Sequence, residues 1–537
     1  MKIFKFLHRW VGVVLAVFII LFAASGIVLN HRSFFAGMDI NRSLLPKNYH
    51  YHNWNLAAVK SATGIGQDSL LLYGNIGIWL TDSLFTQYEP FTGGIPRGAD
   101  NRRTASVVNT RNGNILAGTM SGLYKREAYR WEKIPLPVKE KRVTGIIENA
   151  DGIWVLTRSS LIRLSQESKK FSAKHVPLPY PADYSNETSL FRALWVIHSG
   201  KILGIPGKIG VDILGLVMIF LSLTGIIWFV APDVMKKLKA RIRARKKMAR
   251  VNRFSFQWHN KLGIWTLGFF IVITLTGMFL RPPLLIPIVN KTFPALKFTI
   301  LDHPNPWHDK LRDIQYDRAE EKFILSTSEG FYYADPSFTD SLERIPHQPP
   351  ISVMGINVFE QPYDGLFITG SFSGIHRWKP SALHIHDFIT GRPVSPVKGM
   401  ANPFGAIPVA GYINLAKKGE FLLDYNAGMV SLQRGVNTPT MPASIKEKAH
   451  IPLWNLALEI HTGRFYSFMW GDYYILFIPL AGLAILAVLI SGGVLWVKQY
   501  RRKKRKTKPI LQSQHLTKHD DSGTSPIEQE DEETTVF

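Results

Sequence analysis

The chain contains no cysteine among its 537 residues. That removes disulfides, iron–sulfur clusters and covalently attached c-type haem, so any redox centre must be held by other ligands. Acidic residues are scarce, with 40 Asp and Glu against 64 Lys and Arg and a formal net charge of +24. Charge is almost missing from four stretches, 10–29, 209–230, 262–280 and 474–497. Each is long enough to cross a hydrocarbon core of roughly 30 Å as a helix of about 20 residues. The first follows a short basic N-terminus, but it lacks a small-residue cleavage site and is too long for a secretory signal, so it reads as an anchor.

The basic residues cluster where they set orientation. Lys2, Lys5 and Arg9 precede the first span, KKLKARIRARKKMARVNR (236–253) joins the second to the third, and a basic run at 498–508 follows the fourth. Basic loops resist translocation, which puts all three in the cytoplasm and the two large intervening segments on the outer side. The excess charge is then a topology signal with some attraction to anionic lipid heads, and nucleic acid is not an expected partner. The expected division is 1–31 (N-terminus and first span), 32–205 (outer segment A), 206–231 (second span), 232–257 (basic cytoplasmic loop), 258–281 (third span), 282–471 (outer segment B), 472–498 (fourth span) and 499–537 (disordered cytoplasmic tail).

Both outer segments are rich in Gly, Pro, Tyr and Trp and carry short alternating runs, the mark of β-structure. A unit recurs in which an apolar strand ends in a small or polar residue, a Gly turn follows, and a second strand carries aromatics. Clear copies are ILAGTMSGLYKREAYRWEKI (115–134), IWVLTRSSLIRLSQESKKF (153–171), FILSTSEGFYYADPSF (323–338) and LFITGSFSGIHRWKPSALHIHDF (366–388). Fainter copies at 78–91 and 419–432 bring the total to about six. Units of about 40 residues built this way resemble propeller blades. No blade buries its own faces, so the two segments are expected to combine into one propeller-like domain, the competing picture being two separate sandwiches. The fold class is thus an α plus β membrane protein, with four spans as two repeated helix pairs and a β-rich domain drawn from both loops.

The spans themselves are duplicated. LHRWVGVVLAVFIILFAASGIVL (7–29) aligns without a gap to WHNKLGIWTLGFFIVITLTGMFL (258–280), matching His8 to His259, Gly12 to Gly263 and Ser25-Gly26 to Thr276-Gly277. IHSGK (197–201) matches IHTGR (460–464), and Thr224-Gly225 matches Ser491-Gly492, with a His-to-Gly spacing that differs by about one helical turn. A pseudo-two-fold axis along the membrane normal brings equivalent residues face to face. His8 then opposes His259 near the cytoplasmic face, and His198 opposes His461 near the outer face. Opposed neutral imidazoles are what a bis-histidine b-type haem requires, so two pairs imply two haems b. Gly225 and Gly492 at the inner depth, and Gly26 and Gly277 at the outer, leave room for a macrocycle against backbone. Small residues also serve close helix packing, and histidines near a surface can be ordinary interfacial residues. His31, directly after the first span, is a rival outer ligand. Arg9, Arg32 and Lys201 are placed for haem propionates or for snorkelling.

LHRWVG opening a span, IHSGK and IHTGR before later spans and the Ser/Thr-Gly pairs resemble the PepSY-associated transmembrane helix family over all four membrane regions. That family includes iron-regulated inner-membrane proteins and ferric-siderophore reductases with b-type haems. The resemblance implies a haem-containing oxidoreductase that delivers electrons to a periplasmic ferric siderophore. The outer segments depart from it in showing no clear PepSY domain. The cytoplasmic parts carry no Gly-rich dinucleotide turn, which leaves quinol or a separate cytoplasmic reductase as donor. The alternative is a cofactor-free sensor or regulator with a ligand-binding propeller. Catalytic residues are not assigned by the sequence.

Overall fold

A computed structural model describes the chain except at 67, 168–169, 353–354, 395–404, 416–418, 434 and 517–537. It divides into a helical unit, 1–24, 210–285 and 476–537, and a β unit, 25–209 and 286–475. The principal helices are Gly12–Asn30 (α1), Leu190–His198 (α2), Gly204–Lys237 (α3), Ile242–Phe279 (α4), Leu453–His461 (α5) and Phe477–Leu516 (α6).

Among the described residues, helices α1, α3, α4 and α6 are the four long and apolar enough to cross a membrane. Val14, Leu216, Trp265 and Leu483 turn outward and stay exposed, as side chains facing lipid do. The basic stretch 232–257, read from sequence as a loop, is helical except for a turn at 238–241. Its Lys, Arg, Ala and Met residues are good helix formers, so both spans run on past the apolar stretch. The tail expected to be disordered likewise begins as a continuation of α6 to Leu516, and 517–537 lie outside the described residues.

The β unit is one ring rather than two sandwiches. Six antiparallel sheets, among the described residues, begin with strands Ser61–Gly64, Thr104–Asn109, Val143–Asn149, Leu311–Asp317, Val358–Tyr363 and Val409–Leu415. We number them blades 1 to 6. Segment A supplies three and segment B three, and blade 6 has three strands where the others have four. The second strands, such as GIWVLT in blade 3 and KFILST in blade 4, are buried on both faces apart from their first residue. At their ends Thr119, Thr157 and Thr327 donate their hydroxyls to the carbonyls of Gly122, Ser160 and Gly330, which closes the turn into the third strand. This is the small-or-polar residue plus turn that recurs in the sequence.

Each junction between blades has its own apolar core. Leu71 and Tyr73 meet Ala117 and Trp131 between blades 1 and 2, Leu116 meets Val143 and Val155 between 2 and 3, and Trp154 meets Phe323 between 3 and 4. Phe331 meets Trp378 between 4 and 5, Ile368 meets Leu422 between 5 and 6, and Leu72 meets Ile413 between 6 and 1. The ring shuts where the Tyr412 amide donates to the Lys60 carbonyl at 3.0 Å. A domain assembled from both segments requires them on the same side of the membrane, which four crossings provide.

Candidate functional site

Two small sheets outside the ring prepare the histidine-bearing helices. Glu187–Ser189 pairs with Thr292–Pro294 and leads into α2, and His450–Pro452 pairs with Asp39–Asn41 and leads into α5. Each helix is therefore pinned by a strand from the opposite segment. The sequences LFRALWVIH and LWNLALEIH bury Ala193 and Val196 in one and Leu456 and Ala457 in the other. Ser189 caps α2 by accepting from the Arg192 amide at 3.2 Å. Both helices stop at their histidine because Gly200 and Gly463, two residues on, take φ of 73° and 80°. That left-handed turn ends a helix and favours glycine, so the IHSG and IHTG motifs are helix terminators that leave a histidine on the last turn.

His198 and His461 face each other through Nε2 atoms 3.5 Å apart, with ring centroids 5.8 Å apart and planes at 59°. His461 Nδ1 lies 3.1 Å from the Ser25 hydroxyl. Its ring edge sits over Gly26, where a Cβ would come within 3.3 Å of Cε1.

His8 and His259 form the second pair, with centroids 5.9 Å apart and planes at 76°. His8 stands in a single π-turn, Leu7–Val11, that opens the first span. Such turns break the helical register locally and concentrate at functional sites. His8 Nδ1 meets the Val488 carbonyl at 3.1 Å, and His259 Nδ1 meets the Leu221 carbonyl and the Thr224 hydroxyl at 3.1 Å each. A carbonyl only accepts, so Nδ1 is the protonated nitrogen in both rings and the lone pair lies on Nε2. That is the tautomer a metal-ligating histidine needs, with its second nitrogen fixed by a backbone acceptor.

The small-residue pairs receive these rings reciprocally. His8, from the first half, packs on Gly492 of α6, where a Cβ would fall 2.8 Å from Cε1, and His259, from the second half, packs on Gly225 of α3, where the distance is 3.5 Å. Where the sequence reading gives Gly26, Gly225 and Gly492 a macrocycle to lie against, the structure gives each a histidine ring. Gly277 lies in the last turn of α4 beside Thr276, whose hydroxyl donates to the Val272 and Ile273 carbonyls.

Paired imidazoles are donors of the kind that would hold a b-type haem iron. His198 and His461 would hold such an iron through the Nε2 atoms they turn toward each other at 3.5 Å. Beside His8 and His259 lies an apolar cavity of about 150 Å³ whose walls include Gly12, Gly263, Phe270 and Trp496, with Arg9 and Asn260 as polar members.

The PepSY-associated TM region matches residues 2–231 and 233–499. The chain belongs to the PepSY-associated transmembrane family. No curated protein matches the sequence. Solved structures similar to this family member include the extracellular domains assigned to two hybrid two-component systems of B. thetaiotaomicron. One, BT4673, has a TM-score of 0.32 and 12% identity over 70% of this chain and 32% of that one. The other, BT3049, has a TM-score of 0.31 and 12% identity over 76% and 42%. The dihydro-haem d1 dehydrogenase NirN in complex with DHE has a TM-score of 0.28 and 9% identity over 73% and 56%. This PepSY-associated chain thus spans less than half the length of the first two, and likenesses at these scores carry no argument about what it does.

Other residues singled out in the sequence lie elsewhere in this family member. His31 precedes a short helix, Arg32–Phe35, and the facing pair is His198 with His461. Arg32 makes a two-pronged ion pair with Asp100 at 2.8 and 2.7 Å and stacks over Trp454, and Lys201 lies over the Trp195 ring at 4.5 Å. Of the three suggested propionate partners, only Arg9 borders a histidine cavity. Sequence reasoning missed a group of basic residues in the ring, Lys60, Arg103, Arg142, Arg158 and Arg312, which line one cavity. The signal was available as a Lys or Arg directly before the first strand of blades 1, 2 and 3.

Proposed function

We propose that this protein is a haem b-containing electron-transfer protein of the bacterial inner membrane, with its termini in the cytoplasm and its β unit in the periplasm. Electrons from quinol or a cytoplasmic reductase reach a periplasmic ferric chelate of the siderophore class. The observation that carries the reading is the pairing of four repeat-related histidines into two facing couples. His8 and His259 hold their Nε2 lone pairs available through Nδ1 contacts to backbone carbonyls. His198 and His461 turn Nε2 toward Nε2. Family membership and the distribution of Lys and Arg support the same picture.

A b-type haem in each couple supplies a one-electron carrier whose iron needs no change of ligand. The residues of the chain fix the rings that would hold it. Carbonyls of Val488 and Leu221 fix the tautomer and orientation of His8 and His259, and the apolar walls around them exclude water, which favours outer-sphere electron transfer over ligand exchange. Reduction of the ferric ion lowers the charge that holds hard oxygen ligands, so the chelate loosens.

The test is to reduce the purified protein anaerobically, add a ferric hydroxamate or catecholate chelate, and follow the visible spectrum. Reoxidation of a Soret and α-band signal with formation of Fe(II) is expected. A colourless protein, or a coloured one that stays reduced, contradicts the proposal, and the colourless outcome would favour the sensor alternative.

A further inference from the structure

At one mouth of the ring the chain gathers positive charge that its own carboxylates do not neutralise. A cavity of about 140 Å³ is lined by Lys60, Arg103, Arg142, Arg158 and Arg312, and no Asp or Glu is among its lining residues. The placement repeats from blade to blade. Lys60, Arg103 and Arg142 each stand one residue before the first strand of blades 1, 2 and 3, and Arg312 is the second residue of the first strand of blade 4. Arg158 follows the second strand of blade 3, whose end lies beside the start of the first. All five therefore converge on one end of the ring.

Two of the five have carboxylate partners. Arg158 pairs with Asp309 at 2.8 Å and Lys60 with Asp313 at 3.6 Å. Arg312 donates only to the Asp309 and Leu311 carbonyls. Among the described residues neither the Arg103 nor the Arg142 side chain has a hydrogen bond or ion pair, and Asp100, three residues before Arg103, is taken by Arg32. Arg42 shows the contrast, since this buried arginine is satisfied by the carbonyls of Tyr49 and His450. A structural arginine finds acceptors, and unpartnered ones directed into a cavity are costly unless something else supplies them. Burial, with Arg158, Arg103 and Arg32 nearby, pushes the Arg142 guanidinium down to about 9, and burial beside Arg158 pushes Arg312 down to about 10.

We propose that this cavity binds a compact polyanion whose carboxylate or other oxyanion groups are gripped by Arg103, Arg142 and Arg312. Guanidinium forks match such groups with two parallel hydrogen bonds each. Three arginines without a carboxylate ion pair select a ligand with several anionic groups over a monoanion, and the volume selects a small one over an extended chain. The site stands independently of the haem reading. Where that reading also holds, an anionic ferric chelate is the ligand that satisfies both.

The test is calorimetric titration of the full-length protein in detergent with citrate, ferric citrate and pyrophosphate, using acetate as the monovalent control. Saturable one-to-one binding of at least one polyanion is expected, weakened by salt, with no binding of acetate. Arg103→Gln and Arg142→Gln should each weaken it at least tenfold, and Arg130→Gln, an exposed change on blade 2, should leave it unchanged. Equal binding of citrate and ferric citrate identifies a free polyanion, and ferric citrate alone a chelate. A melting curve separates ligand binding from a structural role. Without ligand, Arg142→Gln should melt at the same temperature as the wild type or higher, because repulsion is relieved, and it should lose the anion-induced rise. Protection of Arg103 and Arg142 from phenylglyoxal by the polyanion gives the same answer on unmutated protein. Absence of binding by all three polyanions, or full affinity in both variants, overturns the proposal. A colourless preparation that still binds defeats only the electron-transfer reading.

Discussion

The two histidine couples are built from the same repeat by different means. His8 and His259 belong to the spans themselves and tie Nδ1 to backbone carbonyls of neighbouring spans. His198 and His461 stand on nine-residue helices of the β unit, each ended by a left-handed glycine and pinned by a strand from the opposite segment. One couple is thus as stable as the helix pairs, whereas the other exists only when the ring is folded. A duplicated scaffold can therefore keep the His8–His259 couple fixed while the His198–His461 couple depends on the domain inserted between the spans.

The strongest way to break that comparison is to unfold the ring. Trp378 is fully buried between blades 4 and 5, and Trp378→Ala should destabilise the β unit by about 3–5 kcal/mol. On mild heating the variant should lose the outer centre first, seen as two separate steps in haem absorbance where the wild type shows closer ones. Simultaneous loss of both would show that the couples are not independent.

A smaller effect is expected where a glycine admits a ring. The clearances for a Cβ against the histidine rings are 2.8 Å at Gly492, 3.3 Å at Gly26 and 3.5 Å at Gly225. Alanine at these positions should disturb its own couple in that order, read as a shift or broadening of one α-band, with Gly225→Ala nearest to wild type. The smallest effect belongs to the hydroxyl that touches His461. Ser25→Ala removes one hydrogen bond, a change of about 0.5–1.5 kcal/mol, and should alter the midpoint potential of the outer centre without loss of haem.

Much of this was legible because the relevant signals are long or repeated. Four apolar stretches give the spans, and the gapless alignment of 7–29 with 258–280 juxtaposes His8 and His259 through symmetry alone. The recurring strand, Thr or Ser, and turn gave the blades, since Thr119, Thr157 and Thr327 must close the same hairpin each time. What the sequence hid depends on neighbours distant in the chain. The partner of Gly492 lies 484 residues away at His8, so the glycine's role is visible only in three dimensions. The π-turn at Leu7–Val11 has no propensity signature. The basic mouth escaped notice because its members are scattered along the chain over blades 1 to 4, each reading as an ordinary surface charge until the ring closes.

The most direct measurement is haem stoichiometry by pyridine haemochrome on the wild type, His8→Ala and His461→Ala, with circular dichroism confirming that each is folded. Two haems b per chain in the wild type and one in each variant are the predicted values. Undiminished haem in either folded variant, or none in the wild type, would contradict the claim that facing histidine couples are the ligands.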